Sequence, residues 1–314
     1  MKILITGGAG FLGSNLAYRY ANNKENEVYI VDNLSTGKIE NIEELILKEK
    51  VYFLEEDICN NKIAEFIKNN KFDYIYNFAC PASPKYYLEF PIETWNASIL
   101  GVKNILDAIK GSKTKMLQTS TSEIYGNALQ TPQDESYFGN VNCIGVRACY
   151  DEGKRAAETL IFDHKRLYGT DIRVVRIFNT YGEKMNSEDG RIISNFINQA
   201  INNEDITIYG SGNQTRSFCY IEDTLDAIIA LMELPDPVEF PINVGNPSEI
   251  KVLEVAKLVK EMTNSKSNIV FCKEMKDDPQ RRKPNISCAI EILKWRPKVS
   301  LEEGLKKCIE YYGR

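Results

Sequence analysis

Tyr150 and Lys154 have the Tyr-x-x-x-Lys spacing that puts a phenol and an ammonium on one face of a helix. A cation in that place favours the phenolate and lowers the phenol's pKa. The tyrosine can then take a proton from an alcohol while the carbon's hydride leaves for an acceptor. The pair alone occurs often by chance. It gains weight from Thr119-Ser120-Thr121-Ser122-Glu123-Ile124-Tyr125-Gly126 upstream, at the end of the fifth predicted strand, where Thr121 offers a hydroxyl to the reacting oxygen.

The hydride acceptor is implied at the other end of the chain. Gly7-Gly8-Ala9-Gly10-Phe11-Leu12-Gly13 sets glycines 7, 10 and 13 between a strand and a helix. A tight turn, close backbone approach to a pyrophosphate and unpaired N–H groups at a helix start are what this spacing provides. Nineteen residues past Gly13 the second strand ends at Asp32, a carboxylate suited to the adenosine ribose hydroxyls. It would repel a 2′-phosphate, and the following Asn33, Ser35, Thr36 and Gly37 bring no arginine, so NAD is expected rather than NADP. After the third strand, Asp57-Ile58 reads either as an adenine contact or, at Asp57, as a helix cap.

The elements that must position these residues follow from periodicity. Apolar runs at 3–6, 28–31, 51–54, 74–78 and 116–119 alternate with helical-period segments such as 13–21 and 92–109. This predicts an α/β fold, a doubly wound parallel (Rossmann) sheet, over residues 1–178. A helix over 150–168 leads to a strand at 172–178. Beyond it, longer loops with Gly182, Gly190, Gly210 and Gly212 mark a smaller C-terminal α/β part, 179–314, with a segment near 215–235 returning to the first domain. Helices are expected at 190–202, 223–234, 252–263 and 301–312. With no linker or repeat, the second part should close on the first as a lid over a cleft beyond the carboxyl ends of the strands.

Composition limits the alternatives. A net charge of −5 over 314 residues offers no general attraction to nucleic acid or to anionic membrane, so any basic site must be local. Met1 runs straight into a strand and no segment reaches the length of a membrane span, so the cytoplasm is the expected compartment. The eight cysteines show neither zinc-ligand nor disulfide-scaffold spacing and read as reduced, mostly buried thiols. The single histidine, His164, leaves no room for a Ser-His-Asp triad or a multi-histidine metal centre, and no metal is expected.

Gly7 to Gly13, Thr121 and Tyr150-x-x-x-Lys154 together resemble the extended short-chain dehydrogenases, which include sugar-nucleotide epimerases, 4,6-dehydratases and decarboxylases. Within that group the chain most resembles the UDP-glucuronate decarboxylases, or UDP-xylose synthases. The likeness rests on Ala79-Cys80-Pro81-Ala82-Ser83-Pro84, Thr119 to Gly126, Gly139-Asn140-Val141-Asn142, Cys149 to Arg155, Arg176 to Gly182, Asp189-Gly190-Arg191, Gln214 to Phe218 and Asp277-Asp278-Pro279-Gln280-Arg281-Arg282-Lys283-Pro284. It implies redox roles for Thr121, Tyr150 and Lys154. It gives Glu123, beside Ser122, and Arg282 to the substrate carboxylate and the proton transfers. It adds Ala79 and Thr119 to the cofactor contacts, points to Asn179, Arg191 and Arg216 for the substrate's diphosphate, and makes Tyr87 and the Pro81 to Pro84 turn, Ser83 included, a wall against the sugar. A homodimer through the helices at 92–109 and 150–168 is implied in the same way.

Two departures from that pattern stand out. Asn96-Ala97-Ser98 occupies the place of a Lys-Thr-Asn, and Asn142-Cys143-Ile144-Gly145 that of an Asn-Pro-Ile-Gly. Loss of the lysine leaves the identity of the sugar acid more open than the reaction type. A 4-epimerase or 4,6-dehydratase is the nearest alternative. The dehydratases carry Asp-Glu where this chain has Ser122-Glu123, and epimerases generally lack the glutamate. A catalytically silent dinucleotide sensor is the other class, and the intact Thr121, Tyr150 and Lys154 speak against it.

Overall fold

The computed structural model describes residues 1–273 and 281–313. Residues 277–280 of the Asp277 to Pro284 stretch thus lie outside the described residues, whereas Arg281 and Arg282 lie within them. The strands are β1 Lys2–Thr6, β2 Glu27–Asp32, β3 Val51–Glu55, β4 Tyr74–Asn77, β5 Lys115–Thr121, β6 Ile172–Ile177, β7 Thr180–Tyr181, β8 Ile206–Tyr209, β9 Thr215–Ser217, β10 Cys219–Tyr220, β11 Ile242–Val244, β12 Glu249–Lys251, β13 Ile269–Cys272 and β14 Arg281–Arg282.

Seven of them form one all-parallel sheet in the order β11-β6-β5-β4-β1-β2-β3. Its central strands are apolar on both faces, as a sheet covered on both sides requires. Successive side chains alternate between faces, so β1 sends Ile3 and Ile5 to one core and Leu4 to the other. Helix Phe11–Ala21 and helix Ile221–Glu233 lie against the first core. The second is covered by helix Lys62–Asn70, the helical run 91–109 and helix Ala148–Tyr168. The strand order reverses between β1 and β4, which opens a crevice at their carboxyl ends.

The remaining strands build small sheets over that crevice: β12-β9-β14, β13-β8 and β10-β7. β9 opens the stretch expected to return to the first domain, yet it stays in the small sheet. Helix Ile221–Glu233 packs against β5 and β6, and β11 extends the sheet edge beside β6. The helix expected at 92–109 forms, but it carries a π turn at Ala97–Gly101 that periodicity does not reveal.

Only Cys219 and Cys308 are buried among the cysteines, and Cys143 and Cys272 are exposed, so the thiols are less buried than composition implies. His164 is a packing residue: its Nδ1 meets Thr170 Oγ1 at 3.1 Å and its ring lies edge-on to Tyr168. No helix among the described residues is long and apolar enough to cross a membrane.

The end of β6 is held by a buried ion pair. Arg176 gives Nε to Glu158 Oε1 at 3.0 Å and Nη2 to Glu158 Oε2 at 2.8 Å, and its Nη1 reaches Tyr125 Oη at 2.9 Å and Glu135 O at 3.1 Å. One side chain thereby ties β6, helix Ala148–Tyr168 and the loop after β5. Arg176→Met leaves the Glu158 carboxylate buried and unpaired, and is expected to cost about 3–5 kcal/mol of folding stability. Urea unfolding measures this, and a loss under about 1 kcal/mol, the value of an exposed pair, would contradict the assignment.

Candidate active site

Gly7 leaves β1 with φ +66°, where a Cβ would stand 2.7 Å from the Ala79 nitrogen, so β1 and β4 can meet here only around a glycine. A Cβ on Gly13 would lie 2.3 Å from Gly7 O. With both bare, Gly10 caps helix Phe11–Ala21 without a side chain and leaves the first-turn N–H groups to a ligand. At the end of β2, Asp32 accepts the N–H groups of Ala9 and Leu34, each at 2.9 Å. Burial pushes its carboxyl above the ordinary range, and those amides pull it back.

Gly7, Gly10, Phe11, Leu12, Gly13, Asp32, Asn33, Ser35, Thr36, Asp57, Ile58 and Ala79 line one compartment of about 530 Å³. Gly37 stands behind it, against the Asp32 carboxylate: a Cβ there would sit 2.8 Å from both oxygens. Asp57 caps a turn and not a helix, since Asn61 is the N-cap of helix Lys62–Asn70. It accepts the Cys59 N–H at 2.7 Å as a turn cap and Asn33 Nδ2 at 2.9 Å, and it lines the compartment. Lys184 is a lining residue that sequence reasoning missed. Its Nζ reaches Asn41 O at 2.8 Å, and burial pushes its ammonium down to about 8. Pro81 and Ser83 also face this compartment, with Ser83 Oγ donating to Asp189 O at 2.6 Å.

A second compartment of about 520 Å³ adjoins it, sharing Phe11, Leu12, Phe78, Cys80, Ala82 and Arg191 with the first. Thr119, Thr121, Ser122, Glu123, Tyr150, Lys154, Tyr87, Asn179, Arg191, Arg216 and Arg282 all line it. Of the wall expected from Tyr87 and the Pro81 to Pro84 turn, Ala82, Pro84 and Tyr87 line this compartment, while Pro81 and Ser83 face the other. Tyr87 lies parallel to Tyr150, ring centres 5.2 Å apart.

Thr121 hydrogen-bonds the Tyr150 side chain and also accepts the Glu123 N–H at 3.2 Å, capping the short turn Ser122–Tyr125. The expected lowering of the phenol by Lys154 is not the main influence in this structure. The ammonium donates to Thr119 O at 3.0 Å and sits 5.9 Å from the Tyr150 ring centre. Burial raises the phenol well above its ordinary range, with Cys80 adding to it, while the Thr121 hydrogen bond and Arg191 pull it down.

Glu123 is paired on both oxygens: Oε1 with Arg282 Nη1, Oε2 with Arg147 Nη2. The small sheet places Arg282 on β14 directly beside Arg216 on β9. Arg282 is buried, which pushes its guanidinium down to about 10. Its Nη1 reaches Ser122 Oγ at 3.5 Å, and its Nη2 has no partner among the described residues. Asn179 Nδ2 is likewise buried and unpartnered there. Arg191 donates to Ala82 O at 3.1 Å and pairs with Asp189 at 3.4 Å, and Arg216 donates to Thr215 O at 2.9 Å.

Arg147 was not among the expected site residues. Residues 147, 150, 151 and 154 follow the i, i+3, i+4, i+7 stripe of a helix, and that spacing was the signal available. Five cations (Arg147, Lys154, Arg191, Arg216, Arg282) thus face one carboxylate across the described lining, although the chain as a whole is acidic. Such a cleft is built for a polyanion beside an alcohol that a tyrosine can deprotonate.

A family model described as GDP-mannose 4,6 dehydratase matches residues 4–308. UDP-glucuronic acid decarboxylase 3 of Arabidopsis thaliana is 48% identical over 305 residues, covering 97% of this chain and 87% of that protein. UDP-glucuronic acid decarboxylase 1 of Danio rerio is 45% identical over 313 residues, covering 100% and 73%. Among solved structures, the UDP-glucose 4-epimerase of Thermotoga maritima with UDP-glucose superposes with a TM-score of 0.90 at 29% identity, covering 99% of this chain and 98% of that one. The UDP-glucuronic acid 4-epimerase of Bacillus cereus, in complex with UDP-glucuronic acid and NAD, gives 0.89 at 26% identity, again covering 99% and 98%.

Glu123→Gln leaves the Arg147 and Arg282 guanidiniums without the anion between them. It is expected to lower folding stability by about 1–3 kcal/mol, read by chemical denaturation. An unchanged or increased stability would show that the clamp does not hold Glu123 as a carboxylate.

Proposed function

From a chain that belongs to the extended short-chain dehydrogenase family, in the group matched by the GDP-mannose 4,6 dehydratase model, we propose an enzyme that converts UDP-glucuronate to UDP-xylose and CO2 with bound NAD. The observation that carries this reading is Glu123, clamped between two guanidiniums one residue from Ser122 and two from Thr121, with Arg282 keeping a buried donor for a further anion. A neutral hydroxymethyl oxygen could accept from that donor but brings no charge; a sugar carboxylate brings an acceptor and the charge together.

In this reading residues 1–178, joined by helix Ile221–Glu233 and β11, hold the cofactor, and residues 179–314 supply most of the diphosphate contacts. The bare glycines 7 and 13 admit a pyrophosphate to the helix start, and Asp32 takes the ribose hydroxyls. Asn179, Arg191 and Arg216 bind the UDP diphosphate, and Tyr87 bounds the sugar. NAD supplies an acceptor for the C4 hydride and returns it later.

Tyr150 takes the proton of the C4 hydroxyl, with Thr121 hydrogen-bonding that oxygen. Lys154, oriented by Thr119 O, stands beside the phenol, whose burial the Thr121 hydrogen bond and Arg191 partly offset. Once C4 is a ketone, the C5–C6 bond can break and CO2 leaves, its electrons passing into the C4 oxygen as an enolate. Thr121 and Tyr150 stabilise that oxygen. Arg282 holds the carboxylate until it departs, and the proton that restores hydrogen at C5 is taken up from solvent, through a water that the Glu123 carboxylate orients. Tyr150 then gives its proton back to the C4 oxygen as the ketone is reduced.

Helices 91–109 and Ala148–Tyr168 pack together, and Ile92, Trp95 and Leu100 are exposed large apolar side chains on the first of them, which supports a homodimer through this face. Eight cysteines without a disulfide favour a reducing compartment, the cytoplasm.

Purified protein incubated with NAD and UDP-glucuronate is expected to release CO2 and form UDP-xylose. Tyr150→Phe is expected to lower that rate at least about 100-fold while leaving the sugar nucleotide bound. A C4 epimer formed without CO2 would replace this reading with an epimerase.

A further inference from the structure

Arg147 has a place in the cleft that neither the expected site residues nor the matched relatives' names account for. It is the N-cap residue of helix Ala148–Tyr168, so its backbone is fixed one turn before Tyr150. Its Nη2 meets Glu123 Oε2, its Nε lies 4.0 Å from Asp151 Oδ2, and its guanidinium stands 6.0 Å from the ring centre of Tyr87, which stacks on Tyr150. The charges therefore alternate along one line: Asp151, Arg147, Glu123, Arg282.

The ends of this line differ in what they can do. Arg282 comes from the small sheet and has a buried Nη2 without a partner among the described residues. A substrate carboxylate that enters the cleft must share Arg282 with Glu123. Glu123, largely shielded from solvent, would then keep only part of the Arg282 charge, and Arg147 would be its one undivided counter-charge. Arg147 cannot be drawn away in the same manner, because its place is set by the helix start and by Asp151.

We propose that Arg147 is the positioning residue that anchors Glu123 to the helix carrying Tyr150, so that Arg282 is free to take the substrate carboxylate. The inference rests on the decarboxylase reading. It makes the distance between Glu123 and the Tyr150 phenol depend on one contact between the turn after β5 and the start of the helix, whatever Arg282 does. Glu123 is then aimed at C5 while Tyr150 serves C4, and the two adjacent carbons are handled by groups held in one frame.

The test compares Arg147→Met and Arg147→Lys with the unaltered enzyme, full chain and NAD-loaded, on UDP-glucuronate. Methionine keeps the stem and removes the cation. Its kcat for CO2 release is expected to fall about 10- to 100-fold with KM changed less than about threefold, since the group lost acts in the reacting complex and not on the nucleotide. Lysine keeps the cation and is expected to recover most of kcat. An unchanged kcat in the methionine variant would overturn the proposal, as would a raised KM at constant kcat. So would equal losses in both variants with a lowered unfolding midpoint, which mark a purely structural residue. If the unaltered enzyme released no CO2 from UDP-glucuronate, the decarboxylase reading itself would fall and the inference with it.

Discussion

A carboxylate shielded from solvent stays charged only with a compensating partner, and Glu123, its side chain 15% exposed, is paired on both oxygens. The rest of the molecule can be understood as the scaffold for that pairing. Glu123 comes from the turn after β5, Arg147 from the start of the helix that covers the sheet, and Arg282 from β14 in the small sheet. The clamp can form only when the two parts of the chain meet across the crevice.

That arrangement makes close approach the main demand on the sheet. β1 and β4 converge at Gly7 and Ala79, and the strand order reverses between them. β5 and β6 are braced from below by Arg176, Glu158 and Tyr125, whose hydroxyl donates to Asn243 on β11 at 2.8 Å. The bracing keeps Thr121 and Ser122 at a fixed height beside Tyr150. Burial raises the phenol, and the Thr121 hydrogen bond and the Arg191 charge offset part of that desolvation.

Much of the first part could be read from the chain because its signals are local. The glycine turn, the carboxylate ending β2 and the one-turn spacing of Tyr150 and Lys154 each depend on neighbours within a single element. The strand and helix alternation fixed the parallel sheet for the same reason. The second part depends on pairings between distant segments. That Arg216 and Arg282 stand side by side follows from the register of β9 with β14, which no periodicity encodes. The π turn at Ala97–Gly101 and the division of the wall of Tyr87 and the Pro81 to Pro84 turn are likewise set by packing, as Ser98 Oγ meets Cys80 Sγ at 3.3 Å across the turn. Arg147 lay within reach of helical spacing, but its partner Glu123 is 24 positions away and the pair becomes evident only in three dimensions.

The central claim is that the cleft recognises a sugar carboxylate through Arg282. The most direct measurement is the affinity of the NAD-loaded Tyr150→Phe protein for UDP-glucuronate against UDP-glucose, repeated with Arg282→Met added. The account predicts that the uronate binds at least about tenfold more tightly, a difference of about 1.4 kcal/mol, and that the added Arg282→Met change abolishes the preference. Equal affinities for the two sugars, or a preference that survives the loss of Arg282, would contradict it.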